Sequence, residues 1–201
     1  MKKLFSILVM MLCALTISAQ EKDVTTFLGI PVDGSKPEMK KQLIAKGYTY
    51  NVSGDYFEGE FNGVDVMISI VTNNNKVYRI VLCDKNLLDE ADIKNRFNIL
   101  CHQFENNKRY LSHEDQTIPE KDDISYEMSV QSKIYEAIFF QLPKDYKALI
   151  PLTEEEAIQA AKALEPAFKK PVWFRICEKY GKYYIAMYYD NKYNEANGED
   201  L

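Results

Sequence analysis

The stretch that decides the fold is Phe57-Glu58-Gly59-Glu60-Phe61-Asn62-Gly63-Val64-Asp65-Val66-Met67-Ile68. Asn-Gly is the strongest short hairpin signal, because both residues tolerate the positive φ of a type I′ turn. A two-residue turn at Asn62-Gly63 pairs Phe61 with Val64, Gly59 with Val66 and Phe57 with Ile68, all on one side. A slip by one residue would turn that apolar side to water, so the register is strongly specified. A three-residue loop, Asn73-Asn74-Asn75, then continues the meander and pairs Ile70 with Tyr78, Ile68 with Ile80 and Val66 with Leu82.

Upstream, Thr26 to Ile30 reads as a lead-in strand closed by Pro31 and an Asp33-Gly34 turn. Ser35-Lys36-Pro37-Glu38 has the form of a capping box and opens a helix over 36–46. Met39 and Leu43 lie on its inner face, and Gly47 supplies a left-handed stop. Downstream, Ile93, Phe97, Leu100, Cys101 and Phe104 have helical spacing within 89–108. A polar loop follows to about 122. A second hairpin is expected over 124–141, with Ile124, Tyr126, Met128 and Val130 alternating. Thr153 to Glu156 begins a helix running to Leu164. The last hairpin, 172–179 and 182–190, turns at Tyr180-Gly181. A polar tail covers 191–201. The plan reads as helix then strands, three times over, without a residue-level repeat. The expected class is α+β: a mainly antiparallel sheet, a meander plus two hairpins, packed against about three helices.

The chain has 201 residues and a formal charge of −5. An acidic balance argues against a nucleic-acid partner. Met1-Lys2-Lys3, the apolar run Leu4–Ile17 and the small residues Ser18-Ala19 read as a secretory signal peptide over 1–19. The mature chain is then 20–201: one α+β domain, or two subdomains meeting near 109–122. That apolar run is short for a membrane span, no later stretch approaches the required length, and the mature chain is expected to be soluble, with no transmembrane segment. Met10-Met11-Leu12 lacks the small residue a lipoprotein signal needs before Cys13. The expected location is extracytoplasmic, periplasmic or secreted. Cys83, Cys101 and Cys177 are too few and too odd in number for a disulfide framework, and read as buried free thiols with at most one bridge.

Motifs for catalysis or cofactor binding that we would recognise are missing, so no catalytic residue, metal or cofactor is assigned. His113-Glu114-Asp115-Gln116-Thr117 starts like a zinc-protease helix but has threonine where the second histidine belongs. Cys101 and His102 are adjacent on a helix and so point about 100° apart. The hairpin register sets Glu60 opposite Asp65, with Glu58 on the same side. Such an acidic cluster fits either a cation or basic-partner site or a solvated face with Arg79 or a lysine nearby. In the last hairpin one face, Val172, Phe174, Ile176, Ile185, Met187 and Tyr189, is core. The other carries Trp173 opposite Tyr188, Arg175 opposite Ala186 and Cys177 opposite Tyr184. The plainer reading buries this second face under a helix such as 153–164. The functional one exposes Trp173, Arg175, Tyr184 and Tyr188, residue types that anchor interfaces.

Phe27-Leu28-Gly29-Ile30-Pro31-Val32-Asp33-Gly34-Ser35, Lys46-Gly47-Tyr48 and Tyr56 to Gly63 resemble a group of uncharacterised secreted proteins of Bacteroides-type bacteria. So do Val172-Trp173-Phe174, Glu178-Lys179-Tyr180-Gly181 and Tyr188 to Asn191. More loosely, the helix-plus-meander plan is similar to PepSY-like and β-lactamase-inhibitor-like modules and an outer-membrane assembly lipoprotein. The resemblance implies a protein-binding role without catalysis, toward another protein or an envelope component. The alternatives kept open are a glycan or small-ligand binder using the aromatic sheet face, and a carboxylate-dependent hydrolase.

Overall fold

The computed structural model describes residues 23–112, 114–143, 162 and 164–196. Their fold is α+β with mainly antiparallel sheet. A two-residue hairpin, β1 (Thr26–Phe27) and β2 (Ile30–Pro31), comes first, then α1 (Lys36–Ala45). The meander is β3 (Thr49–Asn51), β4 (Tyr56–Phe61), β5 (Val64–Asn73) and β6 (Lys76–Asp84). After it come α2 (Glu90–Glu105), β7 (Tyr110–Leu111), α3 (Ile124–Val130) and β8 (Glu136–Gln141). A 3₁₀ turn (Glu165–Lys169) leads to β9 (Pro171–Lys179) and β10 (Lys182–Asp190).

Eight strands form one sheet in the order β3-β4-β5-β6-β10-β9-β8-β7. Among the described residues the strand order is symmetric: each half begins with a helix and contributes four strands in sequence order, and the halves join through their last strands, β6 and β10. The strands thus fall into two sets of four, where the sequence reading had a meander and two hairpins.

Local chemistry explains the parts that matched. Ser35 and Glu38 form both bonds of the capping box, and Met39 and Leu43 are buried on α1. Asp89 caps α2, whose five spaced apolar residues are all buried. Asn62-Gly63 and Tyr180-Gly181 have positive φ at both positions and set the expected registers.

Three expectations change. Leu28 and Gly29 both have positive φ, so Thr26–Ile30 is a tight turn between two short strands instead of one strand. The β5–β6 loop is the two-residue turn Asn74-Asn75. That turn alone would set Ile70 against Arg79 and reverse the face. A bulge that leaves Tyr78 unpaired restores the side, so Ile70 meets Ile80 and Ile68 meets Leu82, two residues from the expected register. Finally, 124–130 is a helix. Asp123 caps it by accepting from the Tyr126 amide, only Ile124 is buried, and Tyr126 and Val130 are exposed. β8 pairs instead with β9 and β7. Ile124 and Met128 also stand four apart, so seven residues fitted both periods.

The core lies on one face of the sheet. Phe57, Ile68, Leu82, Met187, Phe174 and Ala137 form a continuous row across six strands, and all are buried. α1 and α2 sit over the two halves of this face. The β1–β2 hairpin fills the gap between them: Phe27 packs on Phe61 at 5.5 Å and on Tyr189 at 5.0 Å. The helix expected over 153–164 falls outside the described residues save for 162 and 164, and so do the signal peptide and His113.

Cys83, Cys101 and Cys177 are free. Only Cys101 is fully buried. Burial pushes the Cys83 thiol up to about 11, and Cys101 up to about 12 with Glu105 and Asp115 adding to it. A thiolate is the reactive form, so both should be inert in the native protein. Alkylation at pH 8, resolved by mass spectrometry, should modify Cys83 and Cys101 about a hundredfold more slowly before unfolding than after it. Equal rates would show that these thiols are not shielded.

Candidate functional site

The second face of the sheet begins at the β6–β10–β9 centre. Strand alternation that buries Ile80, Met187 and Phe174 sends Arg79, Tyr188 and Trp173 the other way. Among the described residues α1 and α2 lie on the core face, and the 3₁₀ turn only borders the second face, with Phe168 against Phe140 at 5.2 Å.

Trp173 and Tyr188 stack with ring centroids 3.9 Å apart and an interplanar angle of 13°. Arg79 lies over both rings, at 5.5 and 5.2 Å. Its guanidinium grips Asp190 with two bonds of 2.5 and 2.8 Å. Asp190 also accepts from the Trp173 indole N–H at 2.9 Å. The bond to Asp190 holds Arg79 more firmly protonated than usual. One buried carboxylate therefore fixes both the cation and the indole edge, which leaves Trp173 little freedom to lose on binding. Beside it is a hollow of about 360 Å³, lined by Ile138, Phe140, Phe168, Pro171 and Lys192 among others. Ile138 and Phe168 are 39% and 54% exposed.

All four residues singled out from the sequence lie on this face, and all are half-buried. Trp173 and Tyr188 form the stack itself. Arg175 stands opposite Ala186 and Glu136, and its Nε is buried without a hydrogen-bond partner. Tyr184 pairs with Cys177, and burial beside that thiol raises its phenol to about 12. Sequence reasoning missed Asp190 as the centre of the arrangement and placed Arg79 near the acidic cluster instead. The two meet only through the β6–β10 pairing, 111 residues apart in the chain.

The acidic residues share a face as expected, with Glu60 directly opposite Asp65. Glu58 is partnered by Lys85 at 3.2 Å, so a lysine, not Arg79, answers that charge. Glu60 and Asp65 are exposed. On α2 the Cys101 sulfur turns inward toward the Gln116 carbonyl at 3.7 Å, while His102 is exposed and faces Glu105 at 3.3 Å. They form no nucleophile–base pair.

Comparison with protein-family models, curated proteins and solved structures finds no match to this chain. Among the described residues no helix is long and apolar enough to cross a membrane.

Proposed function

We propose that this is an exported, non-catalytic binding protein that engages a partner protein on the Trp173 face of its sheet. The observation that carries the reading is the Trp173–Tyr188 stack, locked by Arg79 and Asp190 on a face no described helix covers. Trp, Tyr and Arg are the residue types that dominate interface energetics, and prior ordering lowers the entropy lost on association. Ile138 and Phe168 supply apolar area beside the stack. The resemblance to envelope-associated binding modules supports the same role, and the signal-like N-terminus supports export.

Site-specific photocrosslinking in the source cells tests this. A benzophenone side chain at Ile138 or Phe168 should trap the same partner protein of discrete mass. The adduct should be absent at Ile44, which is exposed on α1. It should also disappear when Trp173→Ala is added to a chain that still folds by circular dichroism. No adduct at the two sheet positions, or the same adduct at Ile44, refutes the proposal.

A further inference from the structure

A second cavity, of about 450 Å³, opens on the opposite side of the sheet, between the C-terminal half of α2 and the β1–β2 hairpin. Part of its wall is apolar, with Leu100 and Phe104 from α2 and Met187 from β10. Leu28 stands at the lip, held at φ 53° by the tight turn, a conformation a leucine rarely adopts. The rest is polar, and within it Tyr110, Tyr189, Gln141 and Arg109 form one cluster.

The hydrogen bonds there do not close. Gln141 Nε2 donates to the Thr26 carbonyl at 2.7 Å and to the Tyr110 hydroxyl at 3.0 Å. Its Oε1 already accepts from the Thr26 amide at 2.8 Å and from the Thr26 hydroxyl at 3.3 Å. The Tyr110 and Tyr189 hydroxyls are neighbours, each close enough to act on the other. Two phenols hold two protons, and at most one can be spent between them. The other has no acceptor among the described residues, and because the pair lines the cavity it is available to a ligand there. Burial keeps both phenols protonated to unusually high pH, so the spare proton stays. Arg109 sits close enough for its charge to act on both hydroxyls. Its carbonyl accepts from the Leu142 amide at 2.9 Å, which pins the backbone that carries it.

We infer that this cleft binds a small organic acid, with its carboxylate between Arg109 and the tyrosine pair and its apolar body against Leu100, Phe104 and Met187. The volume suits a ligand of about one ring and a short chain. A carboxylate accepts the unspent proton and forms an ion pair with the guanidinium, an attraction of opposite charges that a neutral ligand lacks. The site is independent of the Trp173 face and needs no protein partner.

The test uses 3-phenylpropanoate, with 3-phenylpropanol as its neutral counterpart, titrated into the purified chain by methyl NMR. The acid should bind saturably and shift the Met187 methyl. The alcohol should bind about tenfold or more weakly, and Arg109→Ala, which alters an exposed side chain, should weaken the acid by a similar factor. Tyr110→Phe should weaken the acid and not the alcohol. Absence of saturable acid binding, equal binding of acid and alcohol, or shifts that leave Met187 unmoved would each overturn the assignment.

Discussion

Phe174→Ala should remove about 3–5 kcal/mol from the stability of the fold, the cost typical of truncating a fully buried phenylalanine. Phe174 has no exposed surface and lies at the centre of the core row, opposite Met187 and Ala137. Three aromatic side chains converge on it: Phe97 reaches it edge-on at 5.0 Å, Phe104 stacks at 5.8 Å and Phe139 at 6.0 Å. These rings are held on α2 and β8, so they cannot easily collapse into the space left behind. The cost then includes the cavity as well as the lost transfer energy. Phe168→Ala is the matched control. That ring is 54% exposed, and its removal should cost about 1 kcal/mol or less. Urea denaturation of both variants measures the difference. A loss below about 1 kcal/mol for Phe174→Ala would contradict the face assignment on which the whole sheet reading depends.

Asp190→Ala should cost about 3 kcal/mol and shift the emission of the only tryptophan to the red. Asp190 is 2% exposed, and it is the acceptor for both Arg79 bonds and for the Trp173 indole. Removing it strands a half-buried guanidinium and an indole N–H together. Breaking one side of a buried ion pair usually costs about 3–5 kcal/mol, because the remaining charge keeps its desolvation penalty. The Arg79 side chain retains 23% of its exposure, which places the expectation at the lower end. Asp190→Asn keeps a carbonyl for the indole and should cost less. Because the chain holds a single tryptophan, its fluorescence reads this site alone. Unchanged emission and unchanged stability in Asp190→Ala would mean that the carboxylate does not hold the stack.

Both results bear on function through order. A stack that loosens without Asp190 would meet a partner with more conformational freedom to lose. The crosslinking yield at Ile138 should therefore fall in that variant even where the chain stays folded.

Much of this architecture was readable locally. Asn62-Gly63 and Tyr180-Gly181 each fix a two-residue turn, and the strands on either side then have no choice of partner or side. From that alone Trp173 is opposite Tyr188, Arg175 opposite Ala186, and Glu60 opposite Asp65. Helix α2 was equally plain, since five apolar residues at helical spacing admit one interpretation. Segment 124–130 was not, because a seven-residue run with apolar residues at alternate positions also places Ile124 and Met128 on one helical face. The Asn73–Asn75 loop misled for a related reason. The bulge at Tyr78 has no sequence mark, and it compensates for a turn one residue shorter than expected.

The sequence by itself determined the two hairpins that turn at Asn62-Gly63 and Tyr180-Gly181, the helices α1 and α2 and the side of those ribbons that faces inward, because these depend on residues within a few positions of one another. Tertiary structure alone decided that β6 lies beside β10. That pairing joins the two halves, carries Arg79 to Asp190 and Trp173, and sets Tyr189 behind Tyr110 and Gln141 in the cleft. Its registry depends on the fit of two distant ribbons over a shared core, and backbone hydrogen bonds between strands are the same whatever side chains they carry. Nothing in either strand names the other, so the site they create becomes visible only once they are side by side.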